Sequence, residues 1–178
     1  MTRYAAFLRG VNLGKRQTKS ADLKAVFESL GFEGVGTLIA SGNVVFEAKP
    51  PKGLRETIEK ALKAKFGFEI GVVLRSFDEL KAMIDSKPFA KADPKADINK
   101  HVLMFAEPMK TPLPKLDGVA GDYEVARLDP TDIFFIVHKK PDGTYLGRSA
   151  LGEIDKLLPK GHLVTMRNWN TIEKAAAK

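Results

Sequence analysis

Residues 35–48 read VGTLIASGNVVFEA, and this stretch decides the fold of the first half of the chain. Two runs rich in β-branched residues, 35–40 and 44–48, flank the tripeptide Ser41-Gly42-Asn43. Because Gly and Asn tolerate the positive φ angles that a tight hairpin requires, the stretch predicts two antiparallel strands.

The segments on either side of this hairpin complete a β-α-β-β-α-β order. Before it, residues 4–8 form a short apolar run typical of a buried strand, and residues 20–30 carry apolar side chains at helical spacing. After it, residues 54–66 repeat the helical spacing and residues 70–74 form another apolar run. Two right-handed crossovers would place both helices on one face of a four-stranded sheet, which is the ferredoxin-like arrangement.

The second half of the chain predicts the same order of elements. A helix is expected over 76–85, and the aperiodic stretch 87–99 is expected to link subdomains at 1–86 and 100–178. The later elements are strands at 101–106, 123–128, 133–138 and 163–166, room for one helical turn at 108–116, and helices at 149–158 and 171–177. The predicted fold class is α+β, with two ferredoxin-like subdomains packed together and a C-terminal helix.

Composition narrows the classes of protein. With 44% hydrophobic and 29% charged residues among 178, the chain is of the globular type. Cys is absent, which excludes disulfide frameworks, thiolate zinc sites and cysteine nucleophiles. The apolar stretch between Arg3 and Arg9 is too short for a signal peptide, and no run approaches the roughly 20 apolar residues of a membrane helix. We therefore expect a soluble cytoplasmic protein that does not bind membranes.

The loop after the first strand collects positive charge. Residues 9–19 read RGVNLGKRQTK, and no acidic residue occurs before Asp22, so much of the net charge of +7 lies here. Backbone amides, cations and the N-terminus of the following helix, for which Ser20 is the expected cap, together favour an anion site. A solvated loop with Gly at its turn positions is the alternative interpretation.

The same loop does not fit a Walker A motif. Gly10 and the pair Gly14-Lys15 are one residue too close, and Arg16 stands where Ser or Thr would bind Mg²⁺. We therefore exclude a P-loop NTPase.

An RNA recognition motif is also poorly supported, since its sheet needs several exposed aromatic residues. The third strand carries one aromatic residue, Phe46, and Tyr4 and Phe7 on the first strand point to opposite faces. If nucleic acid binds, contacts to phosphate should dominate and affinity should fall steeply with salt.

The run Arg167-Asn168-Trp169-Asn170 places the only Trp beside Arg and two amide side chains at a strand-to-helix junction. Trp169 can fill the base of the second subdomain while Asn170 caps the last helix. A stacked, hydrogen-bonding edge for a ligand is the other interpretation.

The remaining sequence offers no catalytic or metal-binding pattern. His101, His138 and His162 lack partners at metal-ligand spacing, and residues 147–152 have one residue too many for a nucleophile elbow. We expect no catalytic residue, no metal and no cofactor.

Several motifs resemble those of the bacterial domain of unknown function 1697 family. They are FLRGVNLG at 7–14, LGF at 30–32, SGNVVF at 41–46 and RNWNT at 167–171, and together they span nearly the whole chain. The resemblance implies two ferredoxin-like subdomains and transfers no activity. Lys15 stands where a second glycine often follows Gly14 in that family, and Met166 stands where a small polar residue is more usual.

Three functions follow as hypotheses. The first is a non-catalytic binder of a phosphate-bearing ligand or nucleic acid through the loop 9–19. The second is an enzyme that holds an anionic metabolite between the halves with Arg9 and Arg167, and the third is a protein-interaction module with exposed sheet edges. The predicted ligand-binding residues are Arg9, Gly10, Asn12, Gly14, Lys15, Arg16, Ser41, Asn43, Arg167, Asn168, Trp169 and Asn170.

Overall fold

The protein is described by a computed structural model that covers residues 1–39, 42–49, 52–145, 156, 158 and 160–178. The chain divides into two compact units. Unit 1 contains Met1–Asp85 and Asn170–Lys178, and unit 2 contains Ser86–Trp169. Residues 170–178 thus group with the first unit, whereas the sequence assigned them to the second subdomain.

The architecture is α+β, with two antiparallel four-stranded sheets and four helices in the described part of the chain. In chain order the elements are β1 (Thr2–Arg9), α1 (Ser20–Ser29), β2 (Glu33–Thr37), β3 (Asn43–Ala48), α2 (Leu54–Phe66), β4 (Gly71–Ser76), α3 (Phe77–Asp85), β5 (Ile98–Phe105), β6 (Tyr123–Leu128), β7 (Asp132–His138), β8 (Val164–Asn168) and α4 (Trp169–Ala176).

The sheet of unit 1 has the strand order β2-β3-β1-β4, and all its pairings are antiparallel. Strand β1 lies at the centre, where Tyr4 is opposite both Phe46 of β3 and Ser76 of β4. Helices α1 and α2 pack on the same face of this sheet, because their apolar side chains form one core with alternate residues of the strands. The fully buried members of this core include Ala6, Leu23, Phe27, Val44, Phe46, Ile58 and Leu62.

The opposite face of this sheet is covered as well. Ala5, Phe7, Val45 and Val73 alternate with the residues of the core above, yet each is at most 2% exposed. Helix α3 contacts β1 and β4. An exposed aromatic platform of the kind that stacks RNA bases therefore does not exist at Phe7.

In unit 1, backbone conformation and not side-chain capping marks the ends of helices α1 and α2. Gly31 and Gly67 both have φ of 77°, as expected for residues that end helices in the left-handed region. The prediction that Ser20 caps α1 is wrong, because Ser20 is the first helical residue and Lys19 occupies the cap without a side-chain hydrogen bond.

The sheet of unit 2 has the order β6-β7-β5-β8, again wholly antiparallel. Its main core contains Leu103, Phe105, Ile133, Phe135 and Val137 from one face of the sheet. The pairing of β6 with β7 shifts register between Val125 and Arg127. This irregularity is typical of a β-bulge.

Two predictions for the second half need correction. Residues 106–122 contain no helical turn, because Pro108, Pro112 and Pro114 remove amide donors and restrict the backbone. The last helix begins at Trp169, directly after β8, so Asn170 is the second helical residue and not a cap. Most of the predicted helix at 149–158 lies outside the described residues.

Candidate functional site

The loop between β1 and α1 is closed by one side chain. Asn12 Oδ1 accepts a hydrogen bond of 3.0 Å from the backbone N–H of Thr18 and lies 3.5 Å from the Thr18 hydroxyl. Asn12 has φ of 53°, in the left-handed region that Asn adopts more readily than most residues. Thr18 is only 4% exposed, so this contact anchors an otherwise exposed loop.

Glycines shape the rest of the loop. Gly10 has φ of 86° and Gly14 has φ of 57°, and both conformations disfavour residues with a side chain. The backbone N–H of Arg16 donates to the carbonyl of Leu13 at 3.0 Å, which closes a turn around Gly14. The two predicted glycines therefore set the path of the loop.

This loop lines a small polar cavity of about 300 Å³ that is open to solvent. Its lining comprises Asn12, Gly14, Arg16, Gln17, Thr18 and Lys19. Lys15, Arg16 and Lys19 are exposed, and within the described residues no ion pair joins any of them to a carboxylate. The loop thus concentrates positive charge around the cavity.

Helix α2 and the segment after it complete the surroundings of this site. The guanidinium of Arg16 lies over the ring of Phe68, 5.1 Å from its centroid. Asp22, the acidic residue in the first turn of α1, lies 3.7 Å from Lys65 Nζ in the last turn of α2. The acidic group nearest in sequence to the loop is therefore already paired with a cation.

The two arginines of β1, the predicted site residue Arg9 and Arg3, lie at opposite ends of the strand. Arg9 is the exposed last residue of β1, directly before the loop, and is opposite Gly71 of β4. Arg3 lies about 20 Å away at the other end of the strand, by the usual rise per residue. There its side chain lies 4.0 Å from Glu47, over the ring of Phe77, and donates to the carbonyl of Lys178.

The predicted hairpin residues have a structural role where they are described. Asn43 is 6% exposed, and its Nδ2 donates to the carbonyls of Leu38 at 3.2 Å and Ile39 at 3.5 Å. These bonds hold the turn, so the donor side of Asn43 is used by the protein itself. Ser41 lies outside the described residues.

The predicted C-terminal residues belong to a different environment. Arg167, Asn168 and Trp169 lie in unit 2, whereas Asn170 and the basic loop lie in unit 1. Nη1 of Arg167 donates to Thr165 Oγ1 at 2.7 Å and to the carbonyl of Met166 at 2.8 Å, and burial lowers its pKa to about 10. Asn168 is opposite His101 in the pairing of β8 with β5.

Trp169 is a packing residue of unit 2. It is 8% exposed, and its ring makes edge contacts with Phe89 at 5.1 Å and Phe134 at 6.0 Å between centroids. This agrees with the structural interpretation of the run 167–170, in which Trp169 fills an apolar space. Asn170 is exposed in the first turn of α4.

Sequence reasoning missed Thr18, Lys65 and Phe68. The pattern of charges around residues 9–19 gave no reason to single out Thr18, whose role depends on the hydrogen bond that its backbone N–H donates to Asn12. Lys65 and Phe68 reach the site only through packing of α2 beside α1. No periodicity in the chain signals such a contact.

Metal binding and membrane spanning were the two remaining properties to check across the described residues. They contain no group of three or more His, Cys, Asp or Glu side chains arranged to hold a metal ion. Across those same ranges, every helix is too short or too polar to cross a membrane.

Comparisons with known proteins place the chain in a family. No curated protein matches it significantly. The solved structure of the conserved bacterial protein SP0830 from Streptococcus pneumoniae is similar, with a TM-score of 0.71, 24% sequence identity, and coverage of 99% of this chain and 97% of that one. This similarity shows a shared fold. The family model described as protein of unknown function (DUF1697) matches residues 1–134, and the chain therefore belongs to the DUF1697 family.

Proposed function

We propose that the loop 9–19 binds the phosphate group of a small ligand or of a nucleic acid, and that the protein acts as a non-catalytic binder. The observation that carries the proposal is the cavity of about 300 Å³ lined by Arg16 and Lys19, with the exposed Lys15 in the same loop. Within the described residues these cations have no carboxylate partner, and Asp22 is paired with Lys65. An anionic ligand would supply the missing negative charge.

The backbone supports the same chemistry. The N-terminus of α1 opens directly after the loop, and its cap residue Lys19 offers no side-chain acceptor to the free amides. Such amides favour anions, and the helix dipole adds to the effect. Because Asn12 holds the loop closed, these donors are organised before a ligand arrives, which lowers the entropic cost of binding.

Recognition is expected at phosphate and not at bases. Phe7 and Phe46 on the central strands are fully buried, and Tyr4 of β1 is half-buried with its ring stacked on Phe46 at 5.7 Å. Since none of these rings is fully exposed, stacking contributes little and the cations of the loop provide the affinity. Binding to single-stranded nucleic acid should then depend weakly on sequence.

The number of cations sets the expected salt dependence. Three phosphate contacts on a single strand predict a slope of about −2 in a plot of log affinity against log salt. Raising the salt from about 50 to 200 mM should therefore weaken binding about 20-fold. A slope near zero would mean that the loop cations do not contact phosphate.

The test is fluorescence anisotropy of the full chain with labelled single-stranded RNA, single-stranded DNA and a labelled nucleotide. Lys15→Glu and Arg16→Glu should reduce affinity strongly, and the slope should become shallower. Lys115→Glu is the matched control, since Lys115 is an exposed lysine of unit 2. Absence of binding at low salt, or an equal loss in Lys115→Glu, would refute the proposal.

The probes also separate the two kinds of ligand. If the labelled nucleotide binds as tightly as the oligomers, the site recognises one phosphate-bearing molecule. If only the oligonucleotides bind, the loop recognises the sugar-phosphate backbone of a nucleic acid.

The proposal extends to the fold that presents this loop. In both units the first and third strands lie at the centre of the sheet, with the second strand beyond the third and the fourth beyond the first. This order supports ferredoxin-like subdomains. Unit 2 departs from that arrangement at residues 106–122, which replace the first crossover helix with extended chain.

A further inference from the structure

We propose that unit 2 carries a second binding site, a pocket that takes a flat aromatic molecule bearing one carboxylate. The pocket has a volume of about 660 Å³ and lies between the segment 86–96 and the strands β5, β6 and β7. This volume is in the range of small-molecule sites, about 300–1,000 Å³. Nothing in the basic loop of unit 1 contributes to it.

The apolar wall of the pocket suits a flat ring. Phe89, Ile98, Val125 and Ile136 line it. Phe89 is held edge-on against the rings of Phe134 at 5.8 Å and Trp169 at 5.1 Å. A wall fixed in this way offers a rigid apolar surface, and rigid surfaces bind planar ligands at low entropic cost.

The β-bulge in β6 places a cation at the same pocket. Because the register shifts between Val125 and Arg127, one residue of β6 is left unpaired beside the pocket and the strand turns locally. The Arg127 guanidinium lies over the Phe134 ring, 4.5 Å from its centroid. Bulges often redirect a side chain next to a functional site.

Arg127 is held in place by two of its three nitrogens. Nε and Nη2 each lie 2.9 Å from Asp129 Oδ2. The third nitrogen, Nη1, makes only a long contact of 3.5 Å with the carbonyl of Ser86. A fixed guanidinium with one weakly occupied nitrogen is a suitable donor for an incoming acid.

The acidic groups of the pocket are already engaged. Glu124 Oε2 lies 2.6 Å from Nε2 of His138. Asp93 Oδ1 accepts a hydrogen bond of 2.9 Å from the backbone N–H of Lys95. One oxygen of each carboxylate is therefore already hydrogen-bonded, which leaves it fewer acceptor positions for an amine of a ligand.

The basic groups of the pocket, by contrast, can still bind an acidic group. Lys87 and Lys91 are exposed lining residues, and in the described ranges neither forms an ion pair. Together with Nη1 of Arg127, whose contact with Ser86 is long, they leave donors that can bind a further acceptor beside an apolar wall. An aromatic carboxylate satisfies both requirements, with its ring against the apolar wall and its acid group at Arg127.

Isothermal titration calorimetry of the full chain with 2-naphthoate tests the proposal, with the neutral 2-naphthamide as the matched ligand. We expect 2-naphthoate to bind at least about tenfold more tightly, because only its charge can pair with Arg127. Equal affinities, or no 2-naphthoate binding up to about 1 mM, would overturn the assignment.

Variants locate the binding within unit 2. Arg127→Gln should abolish the preference for 2-naphthoate, and Ala126→Trp, which places a bulky ring on the lining, should weaken both ligands. Since Arg127→Gln also removes the partner of Asp129, Lys91→Gln provides a milder second variant, expected to lose a few-fold in 2-naphthoate affinity. Trp169 fluorescence checks that the packing behind Phe89 is intact.

The control is Lys115→Gln, an exposed lysine of unit 2 that does not line the pocket. Its affinity for 2-naphthoate should equal that of the unmodified protein, as should that of Arg16→Glu in the basic loop. If Lys115→Gln weakens binding as much as Lys91→Gln, or if Arg16→Glu abolishes it, the ligand binds elsewhere and the inference is wrong.

Discussion

Replacement of Asn12 tests whether one side chain organises the basic loop. The structure gives Asn12 two separate tasks: Oδ1 accepts from the nearly buried Thr18, and the backbone adopts φ of 53°. Asn12→Ala removes the acceptor and places an alanine in the left-handed region. Asn12→Gly also removes the acceptor but suits the left-handed backbone, and Asn12→Asp keeps the acceptor.

The magnitudes follow from these two tasks. Leaving the Thr18 N–H without its acceptor costs about 1–3 kcal/mol, the usual penalty for an unsatisfied buried donor. An alanine at positive φ adds about 1 kcal/mol that a glycine avoids. We therefore expect losses in the free energy of unfolding of about 2–4 kcal/mol for Asn12→Ala and about 1–3 kcal/mol for Asn12→Gly. Asn12→Asp should cost least.

Two measurements separate the contributions. Urea unfolding followed by far-ultraviolet circular dichroism gives the free energies, while Trp169 fluorescence follows the aromatic packing around Phe89 and Phe134. Hydrogen exchange of the Thr18 amide reports the local bond, and its protection should fall in Asn12→Ala and Asn12→Gly but persist in Asn12→Asp. Equal stabilities of Asn12→Ala and Asn12→Gly would refute the role of φ. An unprotected Thr18 amide in Asn12→Asp would refute the role of the acceptor.

Two further predictions concern a buried aromatic residue and a partly buried histidine. Phe46 is fully buried and contacts the rings of Tyr4, Phe27 and Phe32, so Phe46→Ala should lower the free energy of unfolding by about 3–5 kcal/mol in urea titrations. Phe66→Ala, at a half-buried position, should cost clearly less, and an equal cost would contradict the packing described. Burial holds the pKa of His101 below its ordinary value of 6.5, so the unfolded chain binds a proton more readily. Stability should therefore fall as pH decreases from about 6.5 through the lowered pKa, and His101→Gln should remove this part of the pH dependence measured by urea unfolding. An unchanged pH profile in His101→Gln would show that another group is responsible.

The sequence predicted the elements of unit 1 well because local signals there agree with one another. Gly31 and Gly67 follow amphipathic runs, and both take the left-handed conformation that ends a helix. The hairpin was predicted, but its turn was placed too late, because β2 ends at Thr37 and Asn43 is the first residue of β3. Where periodicity and end signals coincide, the tertiary structure has no reason to override them.

Prediction from the sequence failed at positions where local patterns do not determine the structure. Helix α4 starts at Trp169 because the chain passes from β8 directly into the helix, so Asn168, and not Asn170, stands at the position before its first turn. Asn43 was predicted to bind a ligand, yet its donor group holds the hairpin. Polar residues at turns serve either purpose, and only the geometry distinguishes them.

The two candidate sites differ in how much of each could be predicted from the sequence. The basic loop is contiguous, so the spacing of its glycines and cations was visible, although the contribution of Phe68 was not. The pocket of unit 2 combines residues 86–96 with β6 and β7, about 40 positions apart in the chain. Its bulge arises from strand pairing, which no single segment encodes.

The same strand order thus leads to different positions for the proposed sites in the two units. In unit 1 both faces of β1 are buried, from Ala5 to Leu8, so a ligand can reach the sheet only at the ends of its strands. The basic loop follows the end of β1, where free amides and cations meet solvent. In unit 2 the bulge before Arg127 interrupts the regular pairing of β6 beside Phe89, and an open pocket remains against the sheet. Charge should therefore govern binding at the first site, whereas apolar contact with one fixed cation should govern it at the second.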